Sequence, residues 1–343
     1  MIGPRRSSFS SAHRRKRLAW PAGGTFRVLS IDGGGIRGIF PAALLAALEA
    51  RFLAGRSIAR CFDLITGTST GGILALGLAA GRTGRELLDV YLREGRRIFP
   101  PGPIGRYWRA LRGVSLYRYD RAALSAALHD VLGTTTLAQS SSRLCIPAFE
   151  GHHGEVYIFK TPHHPDYRID GRERMVTVGE ATAAAPSYFR ALDAGGYRFV
   201  DGGVWANNPI MIGLVDALAC FELDPVQVRI LSLGCGGNRV RVGWMKAIGG
   251  RVSWMNVITA AMDLQSQNAL GQAGLLVGAE HLTRVEPHLA EPIALDDWQR
   301  ASKELPAEAG RVLEGCADGI RRAFLETEAA SPQFFWPPSP LGQ

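Results

Sequence analysis

The sequence predicts an α/β protein of three layers: a mainly parallel central sheet, helices on both faces, and a helical C-terminal region. Three observations predict it. Short apolar runs at 26–31, 143–149 and 228–233 have the length and branched composition of buried strands. Longer helical stretches alternate with them along most of the chain. Two strand-to-helix junctions, 32–38 and 67–71, are dense in glycine, as tight turns at the end of a sheet require. Of 343 residues, 46% are hydrophobic and 20% charged, a balance that supports a sizeable core and excludes a disordered chain, a coiled coil or a small disulfide scaffold. The 41 glycines show no three-residue period, which excludes collagen.

Residues 1–24 read as a disordered basic arm, because Arg5, Arg6, Arg14, Arg15, Lys16 and Arg17 face no acidic residue there. Most of the net charge of +8 lies in that arm and leaves the body near neutral, which argues against nucleic acid as a partner. The arm's functional reading is attraction to anionic lipid headgroups, on the order of 1 kcal/mol per basic residue near the surface. It lacks the apolar core of a signal peptide, and no later run reaches the ~18 apolar residues of a membrane span. Cys61, Cys145, Cys220, Cys235 and Cys316 are scattered, odd in number and outside any CxxC. They point to a reducing compartment, the cytosol, and to no metal site.

The first strand, 26–31, runs into the glycine cluster 32–38. A helix follows to about 53, with Pro41 suited to its first turn. A second strand, 62–66, meets the turn 67–71 and a small-residue helix, 72–80, stopped by Gly81. Thr83 caps a helix to 98, which Pro100, Pro101 and Pro103 end; 100–119 reads as a loop or cover. A helix at 121–132 precedes strands at 143–149, 156–160 and 197–200, and Asn208-Pro209 opens a helix to 220. After the strand 228–233, closed by Gly234, the chain reads as helices at about 255–281 and 306–328 and a proline-rich tail, 331–343. No linker divides the core, so 25–330 reads as one domain whose helical part begins near 240.

Gly67-Thr68-Ser69-Thr70-Gly71 lies between a strand and a helix, the setting that a G-x-S-x-G nucleophile turn requires. Gly67 and Gly71 let the chain turn sharply, and Ser69 stands at the strand end before the positive terminus of the next helix. The plainer reading of the same residues is an N-cap on a tight turn. Gly33, Gly34, Gly35, Arg37 and Gly38 form a second loop whose backbone N–H groups converge on an anion. Either a dinucleotide phosphate or an oxyanion suits it; the second strand ends in the serine turn rather than in an acidic residue, which favours the oxyanion. Arg37 orients the loop or meets a phosphate headgroup. Asp201-Gly202-Gly203 follows a strand, and an aspartate there is able to act as the base a serine needs.

A Ser-His-Asp triad would need a late histidine, and His281 and His288 qualify by position alone. His152, His153, His163 and His164 read as loop and surface polarity around a hairpin. A non-catalytic module binding phosphate or nucleotide through the glycine loop is the other alternative. Trp244, Met245, Trp254 and Met255 read as core packing, with a lipid-facing lid as the functional alternative.

The ordered trio Asp32–Gly38, Gly67–Gly71 and Asp201–Gly203 resembles the patatin-like phospholipase family. The similarity spans about 25–237 and takes in Ala184-Ala185-Pro186-Ser187-Tyr188-Phe189 and Ala206-Asn207-Asn208-Pro209. The resemblance implies a Ser69–Asp201 dyad without histidine, an oxyanion site around Gly33, Gly34 and Gly35 shaped by Arg37, and calcium-independent phospholipid acyl hydrolysis with no metal or other cofactor. Ile98-Phe99-Pro100 and Lys160-Thr161-Pro162-His163-His164 resemble a bacterial branch of that family. That branch implies anti-phage effectors switched on by a cyclic dinucleotide such as cyclic GMP–AMP, acting on phospholipid at the inner face of the membrane. Homo-oligomerisation stays open.

Overall fold

A computed structural model of the chain describes residues 15–100, 117–237 and 257–336. The alternation of side chains along the strands splits the core into two. β1 (Phe26–Ile31) and β7 (Val228–Leu233) send Leu29, Ile31, Leu231 and Leu233 into one apolar cluster. Phe26, Val28, Val228 and Ile230 point into a second cluster on the other face. Both faces are covered, so both strands are continuously apolar.

The sheet order is β5-β6-β3-β2-β1-β7-β8, with β4 paired to β3. Here β2 is Leu64–Gly67, β3 Arg143–Glu150, β4 Glu155–Lys160, β5 Leu192–Ala194, β6 Tyr197–Asp201 and β8 Leu282–Val285. The pairs β1–β2, β1–β7, β2–β3 and β7–β8 are parallel; β3–β4, β3–β6 and β5–β6 are antiparallel. A mainly parallel sheet is therefore observed, with the short strands β5 and β8 added to those the sequence predicts.

Over the first face lie α1 (Ile39–Phe52), α2 (Thr70–Ala79), α3 (Gly84–Ile98), α4 (Ala122–Leu132) and α5 (Met175–Thr182). The one-turn α6 (Gly203–Ala206) leads to α7 (Ile210–Cys220), which covers the second face with α8 (Val257–Val277). Then α9 (Trp298–Ile320) returns to the first face against α1. Thr83 caps α3 as predicted, in a capping box with Glu86.

Several expectations are corrected. α9 begins at Trp298, not 306, because the Asp297 side chain accepts the Arg300 N–H and starts the helix there; Pro306 sits inside it. The basic arm is not disordered from residue 15 onward: Leu18 bridges to Phe221, and Trp20 packs its ring 4.8 Å from that of Phe26. Its first fourteen residues, most of 100–119, and Trp244, Met245, Trp254 and Met255 lie outside the described residues. His163 and His164 are buried rather than surface polarity. No helix among the described residues is long and apolar enough to cross a membrane.

Candidate active site

β2 and β6 pair with the same edge of β3 from opposite directions. β2 runs parallel to it up to the Thr66–Cys145 pair, and β6 comes back antiparallel to the Asp201–Ala148 pair. Their C-terminal ends therefore meet over one short stretch of β3. Ser69 lies just beyond the first and Asp201 closes the second, so two residues far apart in sequence become neighbours. Both line one cavity, and the nearby Ser69 hydroxyl draws the Asp201 carboxyl pKa down.

The turn holding Ser69 is set by steric need. Ser69 has φ 54° and ψ −121°, a conformation L-residues rarely adopt. A Cβ on Gly67 would collide with the Gly71 carbonyl, and one on Gly71 with the Ile31 carbonyl, so the chain folds back on itself through glycine. Side chains fix the turn further. Thr182 Oγ1 accepts the Ser69 N–H at 3.0 Å and donates to the Pro147 carbonyl at 2.6 Å. Thr68 Oγ1 donates to the Ala206 carbonyl at 2.6 Å.

Asp201 is 4% exposed. Burial pushes its pKa up to about 6, against the opposing pull of the Ser69 hydroxyl and of the Gly203 N–H, which donates to Asp201 Oδ1 at 2.6 Å. A Cβ on Gly202 would collide with the Pro147 carbonyl, which explains the glycine there.

The loop Gly33–Gly38 packs beside the serine turn: a Cβ on Gly33 would stand 3.5 Å from Ser69 Cβ, and one on Gly38 would strike Thr70. The Gly33 N–H donates to the Asn207 carbonyl at 2.9 Å. Gly34 and Gly35 open a 3-10 turn (Gly35–Gly38), so their N–H groups precede any partner within it. Arg37 Nε donates to the Gly34 carbonyl at 3.3 Å and holds the loop. Upstream, Asp32 is buried and accepts two hydrogen bonds from Arg284, at 3.0 and 2.6 Å.

Ser69, Asp201 and Gly33–Arg37 line a cavity of about 530 Å³. Leu87 and Ile98 of α3 and Leu124, Leu128 and Val131 of α4 give it an apolar wall. No described histidine lines it. His281 Nδ1 donates to the Val277 carbonyl (2.7 Å) just before the edge strand β8, at the start of the parallel strands, whereas Ser69 follows the end of β2. His288 lies in a second, polar cavity with Asp32, Arg284 and Arg311, which shares Gly33, Arg37, Asn207 and Asp263 with the first.

Among the described residues one cluster has metal-ligand types, the buried Cys145, His163 and Asp216 under α7. The Lys160 ammonium stands 2.5 Å from Asp216 Oδ1 and supplies the positive charge there, and His163 Nε2 lies 2.7 Å from Oδ2. Against burial, Lys160 and His163 hold the Asp216 carboxyl well below the usual range.

Sequence reading missed Arg284, Met262, Asp263 and Leu295, all from the C-terminal third. Met262, Asp263 and Leu295 line the cavity and Arg284 pins Asp32. They sit in segments without a motif, so no sequence signal marked them.

A family model described as patatin-like phospholipase matches residues 29–214. A protein of Vibrio cholerae serotype O1 named cGAMP-activated phospholipase is 38% identical over 232 residues, covering 62% of this chain and 64% of that protein. One of the same name from Escherichia coli is 39% identical over 229 residues, 62% of each chain. A third, from Pseudomonas aeruginosa, is 37% identical over 260 residues, 73% of this chain and 75% of that protein. The chain spans less than two thirds of the length of the first two.

Proposed function

The chain belongs to the patatin-like phospholipase family, and from that premise we propose that it hydrolyses acyl esters of membrane phospholipids through a Ser69–Asp201 dyad. The observation that carries this is Ser69, in its strained turn, sharing an apolar cavity with a buried Asp201. As Ser69 Oγ attacks the ester carbonyl, Asp201 takes its proton; the Gly34 and Gly35 N–H groups and the N-terminus of α2 hold the oxyanion. The alcohol leaves with the proton from Asp201. Water then cleaves the acyl-serine by the reverse relay. A carboxyl with a pKa of about 6 suits both halves of that relay near neutral pH. The apolar wall receives the acyl chain, and Arg37, which lines both cavities, faces the headgroup side.

A cyclic dinucleotide switches the enzyme on; the names of three relatives support this second part. No metal takes part. A triad is the weaker alternative because no described histidine lines the cavity. A non-catalytic phosphate module leaves the strained Ser69 and its aspartate unexplained.

The test is fatty-acid release from mixed phospholipid vesicles, with and without cyclic GMP–AMP and with and without EDTA, for the wild type, Ser69→Ala and Asp201→Ala. Release that needs both residues and the nucleotide, and ignores EDTA, is expected. Release without nucleotide removes the switch and keeps the hydrolase. Release surviving both substitutions refutes the dyad.

A further inference from the structure

Asn207 follows α6 and is 8% exposed. Its backbone carbonyl takes the Gly33 N–H, so it is already bound to the glycine loop. Its side chain is oriented by an argument that needs no hydrogen positions. Ser266 Oγ donates its one proton to the Met262 carbonyl at 3.0 Å. It is then able only to accept from Asn207, whose Nδ2 lies 3.2 Å away. The amide nitrogen must face Ser266, and Oδ1 must face the other way.

That oxygen is buried without a hydrogen-bond partner among the described residues. It lies near the reacting groups. The Cβ position of Gly33 is 2.6 Å from Asn207 Oδ1 and 3.5 Å from Ser69 Cβ. The Cβ position of Gly203 is 3.0 Å from Asp201 Oδ1 and 3.4 Å from Asn207 Oδ1. Asn207 also lines the cavity with Ser69 and Asp201. A buried acceptor left unpaired costs about 1–3 kcal/mol, so its place asks for a donor that arrives during the reaction.

We infer that Asn207 Oδ1 is the second acceptor for the water that hydrolyses the acyl-serine. The inference rests on the acyl-serine reading above. The first step releases an alcohol and consumes no water; only the second requires a donor with two O–H groups in this place. Asp201 and Asn207 Oδ1 accept one hydrogen each, and the water's lone pair is left for the acyl carbon. As the water oxygen bonds to that carbon, its proton on the Asp201 side passes to the carboxylate. The tetrahedral intermediate then breaks its bond to Ser69 Oγ, which takes the proton back from Asp201, and the fatty acid leaves. Asn207 gains and loses no proton; it aims the nucleophile.

Acylation and deacylation therefore separate in the test. Rapid mixing with p-nitrophenyl butyrate, with cyclic GMP–AMP present, reads a burst of nitrophenol and then steady turnover, and intact-protein mass spectrometry reads the acyl adduct. Ser69→Ala is the blank. Asn207→Ala is expected to keep the burst rate, slow steady turnover about tenfold, the worth of one hydrogen bond, and raise the fraction of acylated protein. Ser266→Ala frees the amide to rotate and is expected to shift the same ratio in the same direction; it decides the question if Asn207→Ala does not fold. Burst and turnover falling together, or deacylation unchanged in the deciding variant, overturns the role of Asn207 and leaves the dyad standing. A wild type that forms no Ser69 adduct under any of these conditions overturns both.

Discussion

Ser69 is held in a backbone conformation that costs about 1–3 kcal/mol, and the glycines around it make room for it. Gly71→Ala places a methyl group on the Ile31 carbonyl, so soluble expression and the melting temperature are expected to fall sharply, with no folded fraction retaining activity. At Asp201 the buried carboxyl is raised to about 6, and the proposed base must be ionised to act. The acid limb of kcat/KM is therefore expected to rise through an apparent pKa near 6, and a pH–rate profile checks it. The sign for stability is the opposite. A carboxyl whose folded pKa lies above its unfolded value destabilises the fold at pH above about 6, and that penalty fades as pH falls toward the unfolded value. Asp201→Asn is expected to abolish turnover and to raise stability at pH 7.5 by up to about 3 kcal/mol, with the gain shrinking toward pH 4. Melting curves at the two pH values read it.

At the level of elements, Ser69 and Asp201 become neighbours because β2 and β6 approach one edge of β3 from opposite ends. β8 secures the neighbouring loop: Arg284, on that edge strand, reaches across the end of β7 to Ser232 and Asp32. Burial pulls the Arg284 pKa down, yet Asp32 and Glu286 raise it well above its ordinary value, so the guanidinium stays charged. Arg284→Met strands the buried Asp32 and is expected to cost about 3–5 kcal/mol, read by urea unfolding. Arg284→Met with Asp32→Asn is expected to recover most of that stability. On the acyl side, Ala127 of α4 lines the cavity, and Ala127→Phe fills part of it. Hydrolysis of long-chain esters is expected to fall about tenfold relative to butyrate, the worth of about two buried methylenes.

Across the whole molecule, the sheet separates two apolar clusters that do different work. The cluster under α1–α5 and α9 adjoins the cavity that Ser69 and Asp201 line. The cluster under α7 and α8 holds the buried Lys160–Asp216–His163 network, which ties α7 to β4. Asp216 therefore fixes the helix whose preceding residues, Asn207 and Asn208, touch the glycine loop and Ser30. Lys160→Met removes the ammonium from the buried Asp216 and leaves it only its His163 and Tyr167 contacts, so it is expected to destabilise by about 3–5 kcal/mol, whereas Lys160→Met with Asp216→Asn is expected to approach wild-type stability. Calorimetry distinguishes the two.

The sequence by itself determined the fold class, most strands, the serine turn and the glycine loop. Each of these is a local constraint. A strand shows its apolar run, and a turn whose backbone segments approach closely uses glycine, so Gly67, Gly71 and the Gly33–Gly38 loop were legible in order. Asp201 was legible as a strand-end aspartate whose partner remained unstated. Tertiary structure alone decided that its carboxyl group meets Ser69, because that contact depends on β3 pairing with two strands on one edge. It also decided Arg284, the burial of His163 and His164, the packing of residues 15–24, and the direction of Asn207 Oδ1. In these cases the deciding partner lies far away in the chain. Ser266, for one, turns the amide from α8, and no spacing or composition near Asn207 records it.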